Sequence, residues 1–230
     1  MKIQLIDYNR EMAAAYKEYF KDVSEVFVAN DSAFAIPTEC IVSPANSFAF
    51  MDGGFDRTIT DYLGGAVEAN VRKMVRENYN GELLVGQAFY VPTENALVPF
   101  CICAPTMRVP SYLGEKTINP YLAARAIFLL LRQENLPFKS VTIPGLGTGV
   151  GRVPYDLCAH QVRAAYEHFY RGDYSTPESW QEAMYQHNLL NTKAHEPKRD
   201  LQFVNPDKQE DESKPTISRF NGDYPGPINL

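Results

Sequence analysis

Strand-length apolar runs alternate with longer amphipathic segments through the first 172 residues, and this alternation is the feature that most constrains the fold. Strands are predicted at 2–6, 24–30, 39–43, 86–92, 96–104 and 139–147. Helices are predicted at 10–20, 55–79 with a break at Gly64 and Gly65, 119–136 and 153–170. Such alternation builds a mostly parallel or mixed sheet between helical layers. The expected fold class is therefore α/β.

The composition changes after Gly172, where we place a domain boundary. Residues 173–230 carry ten acidic against six basic side chains and six prolines. We expect a folded domain at 1–172 and a proline-rich acidic tail at 173–230, with one short helix at 179–192 docked through Trp180. The tail either has no part in the chemistry, or covers the site or docks a partner.

Charge and hydropathy exclude several classes of protein. The chain has 230 residues, with 22 Lys and Arg against 28 Asp and Glu, a formal net charge of −6. General nucleic-acid binders need a basic surface, so we expect no such binding. No apolar run approaches the roughly 20 residues of a membrane span, and the first residues do not form a signal peptide. We expect a cytoplasmic protein with no membrane partner.

The cysteines and histidines favour buried thiols over a metal centre. The four cysteines form no Cys-x-x-Cys motif, and Cys101 and Cys103 are two apart, which places both on one face of a strand. His160 and His168 are eight residues apart on a predicted helix, too far to share one metal ion directly. We expect free cysteines in a reducing compartment, and neither a metal nor a cofactor.

Two segments concentrate the chemistry, and each directly follows a predicted strand. The first glycine segment is 43–59 (SPANSFAFMDGGFDRTI) and the second is 144–154 (PGLGTGVGRVP). Ligands of open α/β sheets bind beyond the carboxyl ends of the strands, where glycines and helix N-termini suit phosphate oxygens. Val150 breaks a dinucleotide-binding G-x-G-x-x-G, and neither segment has the G-K-[ST] of a P-loop. The segments therefore hold a pyrophosphate or are simply tight turns.

The residues of these segments resemble a known family. Ser-Pro-Ala-Asn at 43–46, Asp-Gly-Gly-Phe-Asp at 52–56 and Gly-Leu-Gly-Thr-Gly at 145–149 are similar to the macrodomain family of ADP-ribose-binding proteins, including its ADP-ribose 1″-phosphate-processing branch. Asn46 and Asp56 are ten residues apart, the spacing of the family's hydrolytic Asn and Asp. The resemblance covers residues 1–172. It implies a three-layer α/β/α fold with a central mixed sheet and ADP-ribose in a cleft across the sheet's carboxyl edge.

The resemblance also implies a role for each site residue. Asp31 would read the adenine, and Asn46 would orient the distal ribose beside the catalytic Asp56. Turn or capping roles remain the alternative for Asp31 and Asn46, and a helix-dipole interaction for Asp56. The implied ligand-binding set is Asp31, Ser43, Gly53, Gly54, Phe55, Gly145, Gly147, Thr148, Gly149, Val150 and Gly151.

Several residues depart from the family pattern. Ser43 replaces the first asparagine of the turn, and Met51 and Asp52 stand where the familiar hydrolases have glycine. We expect Asp52 to weaken diphosphate binding unless it points outward or pairs with Arg57. Gly151 stands where other branches have an aromatic residue or a catalytic aspartate, so the mechanism that uses that aspartate is unsupported.

Three functions follow from the resemblance. The first is hydrolysis of ADP-ribosyl linkages, on mono-ADP-ribosylated protein or on ADP-ribose 1″-phosphate, with Asn46 and Asp56 as the catalytic residues. The second is a non-catalytic module that binds ADP-ribose or a related nucleotide. The third is a scaffold whose cleft is blocked by the tail. The expected partners are ADP-ribose or an ADP-ribosylated protein.

Overall fold

A computed structural model describes residues 1–191 of the chain, and these residues lie within one unit that spans Met1–His195. Six strands form one sheet in the order β2-β1-β6-β3-β5-β4. Every neighbouring pair is parallel except β4 and β5. The strands are β1 Lys2–Asp7, β2 Val26–Asn30, β3 Cys40–Ser43, β4 Phe89–Pro92, β5 Phe100–Cys103 and β6 Ser140–Ile143. The prediction of a mixed sheet is confirmed.

Helices cover both faces of the sheet, which confirms the three-layer α/β/α fold. They are α1 Arg10–Tyr19, α2 Gly54–Leu63, α3 Ala66–Asn78, α4 Asn119–Leu131, α5 Tyr155–Ala165 and α6 Trp180–Leu189. Residues of α1, α4 and α5 pack in one apolar core, and residues of α2 and α3 pack in the other. A π-helical turn, Tyr166–Arg171, extends α5. Among residues 1–191, no helix combines the length and apolarity needed to cross a membrane.

Alternation along the strands separates the two cores. Ile102 belongs to the core under α1, α4 and α5, whereas Cys101 and Cys103 on either side of it belong to the other core. This is the period of two that a strand imposes on its side chains. All four cysteines are buried and free, as predicted.

Local signals place the helix ends. Asn9 caps α1, because its Oδ1 accepts hydrogen bonds from the backbone N–H groups of Glu11 (2.9 Å) and Met12 (3.0 Å). Helix α4 begins with Asn119 and Pro120, but it ends at Leu131 and not at residue 136 as predicted. The prediction extended the helix too far because the chain turns here, with Asn135 in the left-handed region at φ 64°.

Helix α6 lies in the segment 179–192, but its contact with the domain differs from the one predicted. Trp180 is 74% exposed, so the prediction that it docks the helix is wrong. The C-terminal end of α6 makes the contact instead. His160 Nε2 donates to the carbonyl of Leu189 (2.8 Å), Gln161 Nε2 donates to that of Leu190 (3.1 Å), and Leu190 is buried. The acidic stretch 206–215 lies outside the described residues, and a tail that begins at 173 stays a prediction.

A buried hydroxyl ties α1 to the start of the second glycine segment. The Tyr16 hydroxyl donates to the carbonyl oxygen of Pro144 at 3.0 Å, and both residues are buried. We expect Tyr16→Phe to lower the free energy of unfolding by about 1–2 kcal/mol, because the Pro144 carbonyl loses its partner. Urea denaturation followed by circular dichroism measures the change. Tyr112→Phe, at a ring that is 72% exposed, is the control and should change stability little; equal losses in the two variants would contradict the expectation.

Candidate functional site

A cleft of about 460 Å³ opens at the carboxyl ends of β1, β3 and β6. Its volume lies in the range of small-molecule sites. Both glycine segments line it, and so do residues at the start of α1 and α2. Ten of the thirteen predicted site residues border it: Asn46, Gly53, Gly54, Phe55, Asp56, Gly145, Gly147, Thr148, Gly149 and Val150.

The first glycine segment is held in shape from the core side. Met51 is fully buried among the side chains under α2 and α3, so it anchors the loop where the family pattern has glycine. Ala49 has φ 57°, a left-handed conformation that is uncommon for a residue with a Cβ. Helix α2 then begins at Gly54 with Gly53 as its N-cap, and no side chain caps it. Its first N–H groups are therefore left to whatever enters the cleft.

The side chain of Asn46 is largely committed to its own loop. Its Nδ2 donates to the carbonyl of Phe50 at 2.8 Å, and its Oδ1 accepts from the N–H groups of Phe48 (3.1 Å) and Phe50 (3.4 Å). These bonds correspond to the turn-stabilising alternative. An amide nitrogen carries two hydrogens, and the second one has no acceptor among residues 1–191. Asn46 lines the cleft, so this hydrogen is available to a ligand there.

The carboxyl group of Asp56 is the most perturbed acid in the cleft. It belongs to the first turn of α2, is 8% exposed and borders the cleft. Burial raises the pKa of Asp56 from 3.8 to about 7; a hydrogen bond from Ser43 opposes the rise, and the carboxylate of Glu68 adds to it. Burial is the largest cause of the raised pKa of Asp56, and it acts without any ligand in the cleft.

The second glycine segment is fixed at both ends. The N–H of Gly145 donates to Asp7 Oδ2 at 3.0 Å, which ties the loop to the end of β1. At the other end, the carbonyl of Gly151 accepts hydrogen bonds from Leu113 (2.9 Å) and Gly114 (3.2 Å). Between these anchors, Gly147 takes a positive φ of 71°. Helix α5 follows without a side-chain cap, like α2.

Three predicted ligand residues do not line the cleft. Asp31 is exposed, and its Oδ1 accepts a hydrogen bond from the N–H of Ser32 at 2.7 Å; of the residues after β2, Ala33 borders the cleft. Ser43 is fully buried behind Asp56. Gly151 is buried against Leu113, since a Cβ at Gly151 would lie 2.9 Å from Leu113 Cδ1. The structure therefore gives Ser43 and Gly151 supporting positions.

The prediction missed the residues that follow β1. Asp7, Tyr8 and Asn9 border the cleft, and the Asn9 side chain donates to the hydroxyl of Tyr155, another lining residue, at 3.0 Å. The available signal was the rule that ligands bind beyond the carboxyl ends of strands, applied to β1 as well as to β3 and β6. Five other lining residues belong to the two glycine segments: Pro44, Ala45, Phe50, Thr58 and Pro144. Five more lie outside both segments: Ile6, Ala33, Thr106, Met107 and Pro110.

The charged side chains around the cleft do not form the expected pair of Asp52 and Arg57. Asp52 lines the cleft and is exposed, but Arg57 lies near Asp61 (3.7 Å between Nε and Oδ2) and forms no salt bridge with Asp52. Arg108 pairs with Glu82 at 2.6 Å. In the part of the chain that the structure describes, no cluster of three or more His, Cys, Asp or Glu side chains could hold a metal ion. Backbone N–H groups are thus the main hydrogen-bond donors that the cleft offers to an anion.

Comparison with known proteins identifies a matching family and similar sequences. The sequence profile of the Macro domain family matches residues 42–162. An uncharacterized protein of Aquifex aeolicus is 33% identical over 139 residues, 60% of this chain and 78% of that protein. An uncharacterized protein of Pyrobaculum aerophilum is 27% identical over 141 residues, 61% of this chain and 74% of that protein.

Solved structures share the fold at low identity. A macrodomain of Oceanobacillus iheyensis with ADP superimposes with a TM-score of 0.53 at 19% identity, covering 69% of this chain and 86% of that chain. A mutant of the same macrodomain with ADPR gives 0.54 at 19% identity, covering 69% and 88%. The macrodomain of Mycobacterium tuberculosis DarG gives 0.52 at 19% identity, covering 60% and 88%.

The glycines of the second segment differ in how much space surrounds them. A Cβ at Gly151 would lie 2.4 Å from the carbonyl oxygen of Gly147, whereas one at Gly149 would meet nothing within 4 Å. We expect Gly151→Ala to lower the free energy of unfolding by about 2 kcal/mol, because the backbone must shift. Gly149→Ala should stay within about 0.5 kcal/mol of the wild type. Urea denaturation of both variants checks this, and similar values for the two would show that Gly151 is not packed as described.

Burial of Asp56 should make the fold less stable as the pH rises. A carboxyl group whose pKa is raised to about 7 on folding binds more protons in the folded state, so stability falls between about pH 4 and 7. Asp56→Asn removes this dependence. We expect the variant to be stabilised over the wild type by roughly 3 kcal/mol more at pH 8 than at pH 5. Asp52→Asn, an exposed carboxylate of the same segment, controls for the loss of one charge; an equal gain from Asp56→Asn at both pH values would contradict the account.

Proposed function

This chain belongs to the macrodomain family, and we propose that its cleft binds ADP-ribose and that the protein hydrolyses ADP-ribosyl linkages. The substrates would be mono-ADP-ribosylated protein or ADP-ribose 1″-phosphate. The observation that carries the proposal is the carboxyl group of Asp56, buried beside two loops of backbone donors and titrating near neutral pH. A general base works best when its pKa lies near the operating pH.

The two uncapped helix starts support the binding part of the proposal. Gly53 and Gly54 at the start of α2, and Gly147, Thr148, Gly149 and Val150 ahead of α5, all border the cleft. Free N–H groups at a helix N-terminus, together with the helix dipole, favour phosphate oxygens. Two such loops on one cleft suit a diphosphate, which would bridge them. Like-charge repulsion from Asp52 opposes binding, so the backbone donors must outweigh it.

Asp56 and Asn46 would then act on the terminal ribose. In hydrolysis, a water oxygen attacks the anomeric carbon, the bond from that carbon to the leaving oxygen breaks, and the water gives up a proton. The carboxylate of Asp56 would accept that proton, and the remaining Nδ2 hydrogen of Asn46 would bind a ribose hydroxyl. Holding the ribose and the water next to each other in the cleft converts a bimolecular step into an effectively unimolecular one.

A non-catalytic binding module is the second candidate, and two observations favour it. Most of the hydrogen bonds that the Asn46 side chain can form are already made to its own loop. Asp52, beside Asp7 and Asp56 in the cleft, stands where the familiar hydrolases have glycine. The scaffold blocked by its own tail gains no support from the described residues, since none of residues 173–191 lines the cleft.

Calorimetric titration and turnover assays test the proposal together. We expect ADP-ribose to bind with a Kd on the order of 1 μM, equivalent to about −8 kcal/mol, and to bind more tightly than ADP or AMP. Release of ADP-ribose from the two substrates should rise as the pH increases through about 7, because the base form of Asp56 is required. Asp56→Ala and Asn46→Ala should each lower turnover by about 100-fold or more.

Asp61→Ala is the matched control for these variants. Asp61 is an exposed acid on the same helix as Asp56, and it does not line the cleft. Its loss should leave turnover unchanged. Tight binding of ADP-ribose with no release from either substrate would select the binding module. Absence of binding would overturn both candidates.

A further inference from the structure

We propose that Ser43 is a positioning residue, which holds one carboxylate oxygen of Asp56 and so directs the other toward the attacking water. This inference rests on the proposed hydrolysis. Ser43 is the last residue of β3, and Asp56 stands thirteen positions later in the first turn of α2. The hydroxyl of Ser43 donates to Asp56 Oδ1 at 2.6 Å, a short bond typical of a charged acceptor.

The two oxygens of Asp56 lie in different surroundings. Oδ1 is bound by a residue that is itself fully buried and does not line the cleft. Oδ2 has no hydrogen-bond partner among residues 1–191, and it is not one of the fully buried polar atoms that lack a partner. Oδ2 is therefore still in contact with solvent. Because Asp56 borders the cleft, that contact lies in the cleft. The serine thus fixes which oxygen is available to a ligand or a water.

Among residues 1–191, no other side chain donates a hydrogen bond to Asp56. The titratable groups facing it are Glu68 from α3 and the thiols of Cys101 and Cys103 from β5. Within residues 1–191 Asp56 makes no ion pair, and Ser43 is the one residue whose side chain donates a hydrogen bond to it. Burial and Glu68 raise the pKa of Asp56, and the hydrogen bond from Ser43 opposes them.

Loss of the Ser43 hydroxyl should change the titration midpoint of Asp56 and leave substrate binding unchanged. In Ser43→Ala the carboxylate loses its donor, so we expect its titration midpoint to move upward by about one pH unit. The acidic limb of the turnover profile should move by the same amount. The KM should stay within about twofold of the wild type, because Ser43 does not touch the cleft.

Carbon NMR of the full chain tests this directly. Side-chain carboxyl carbons of labelled aspartate are followed from pH 4 to 9, and Asp56→Asn assigns the Asp56 signal. Ser43→Thr keeps a hydroxyl and should restore the wild-type midpoint. Ser43→Cys has nearly the size of serine but only a weak donor, and it should behave like Ser43→Ala. The two variants keep the test decisive if one of them fails to fold.

The outcomes separate this inference from the proposed function. An unchanged midpoint in both Ser43→Ala and Ser43→Cys would overturn the role of Ser43, even if the wild type turns over substrate. A midpoint that moves while the acidic limb stays in place would also overturn it, because Asp56 would then not be positioned for the reaction. A wild type without turnover at any pH would instead refute the hydrolysis, and the NMR titration would still decide whether Ser43 holds the carboxylate.

Discussion

The burial of one carboxyl group at the edge of the sheet is the constraint on which the site depends. Asp56 reaches the cleft because residues 44–53 lead from the end of β3 at Ser43 to the start of α2 at Gly54, which places Asp56 next to Ser43. Keeping this group ionised in the folded state costs about 4 kcal/mol, from a pKa raised from 3.8 to about 7. A cost of this size at one side chain is typical of functional sites, where groups needed for activity lower the stability of the fold.

The surrounding loops make this burial tolerable. Met51 inserts into the core under α2 and α3, so the segment before Asp56 is held by apolar packing and does not need glycine there. On the opposite side of the cleft, Asp7 holds Gly145, and the Tyr16 hydroxyl holds Pro144. The cleft is thus built from rigid elements on both sides, which is what a preorganised site requires.

The sequence predicted the layers, the strand and helix order and both glycine segments, because each depends on local periodicity and turn chemistry. It did not predict strand order. That order puts β1 beside β6, so Asp7 at the end of β1 reaches the cleft. After β2, the local turn brings Ala33 and not Asp31 to the cleft. Long-range packing likewise decided that Trp180 is exposed. The roles of Ser43 and Gly151 were also beyond sequence patterns, since both residues act from behind the cleft surface.

A crystal structure of the full chain with ADP-ribose tests the central claim most directly. We expect the diphosphate to lie against the N–H groups of Gly53 to Phe55 and of Gly147 to Val150. We also expect the terminal ribose, or a water beside its anomeric carbon, to lie within about 3.2 Å of Asp56 Oδ2, a hydrogen-bond distance. A ligand bound elsewhere, or bound with its terminal ribose away from Asp56, would contradict the account.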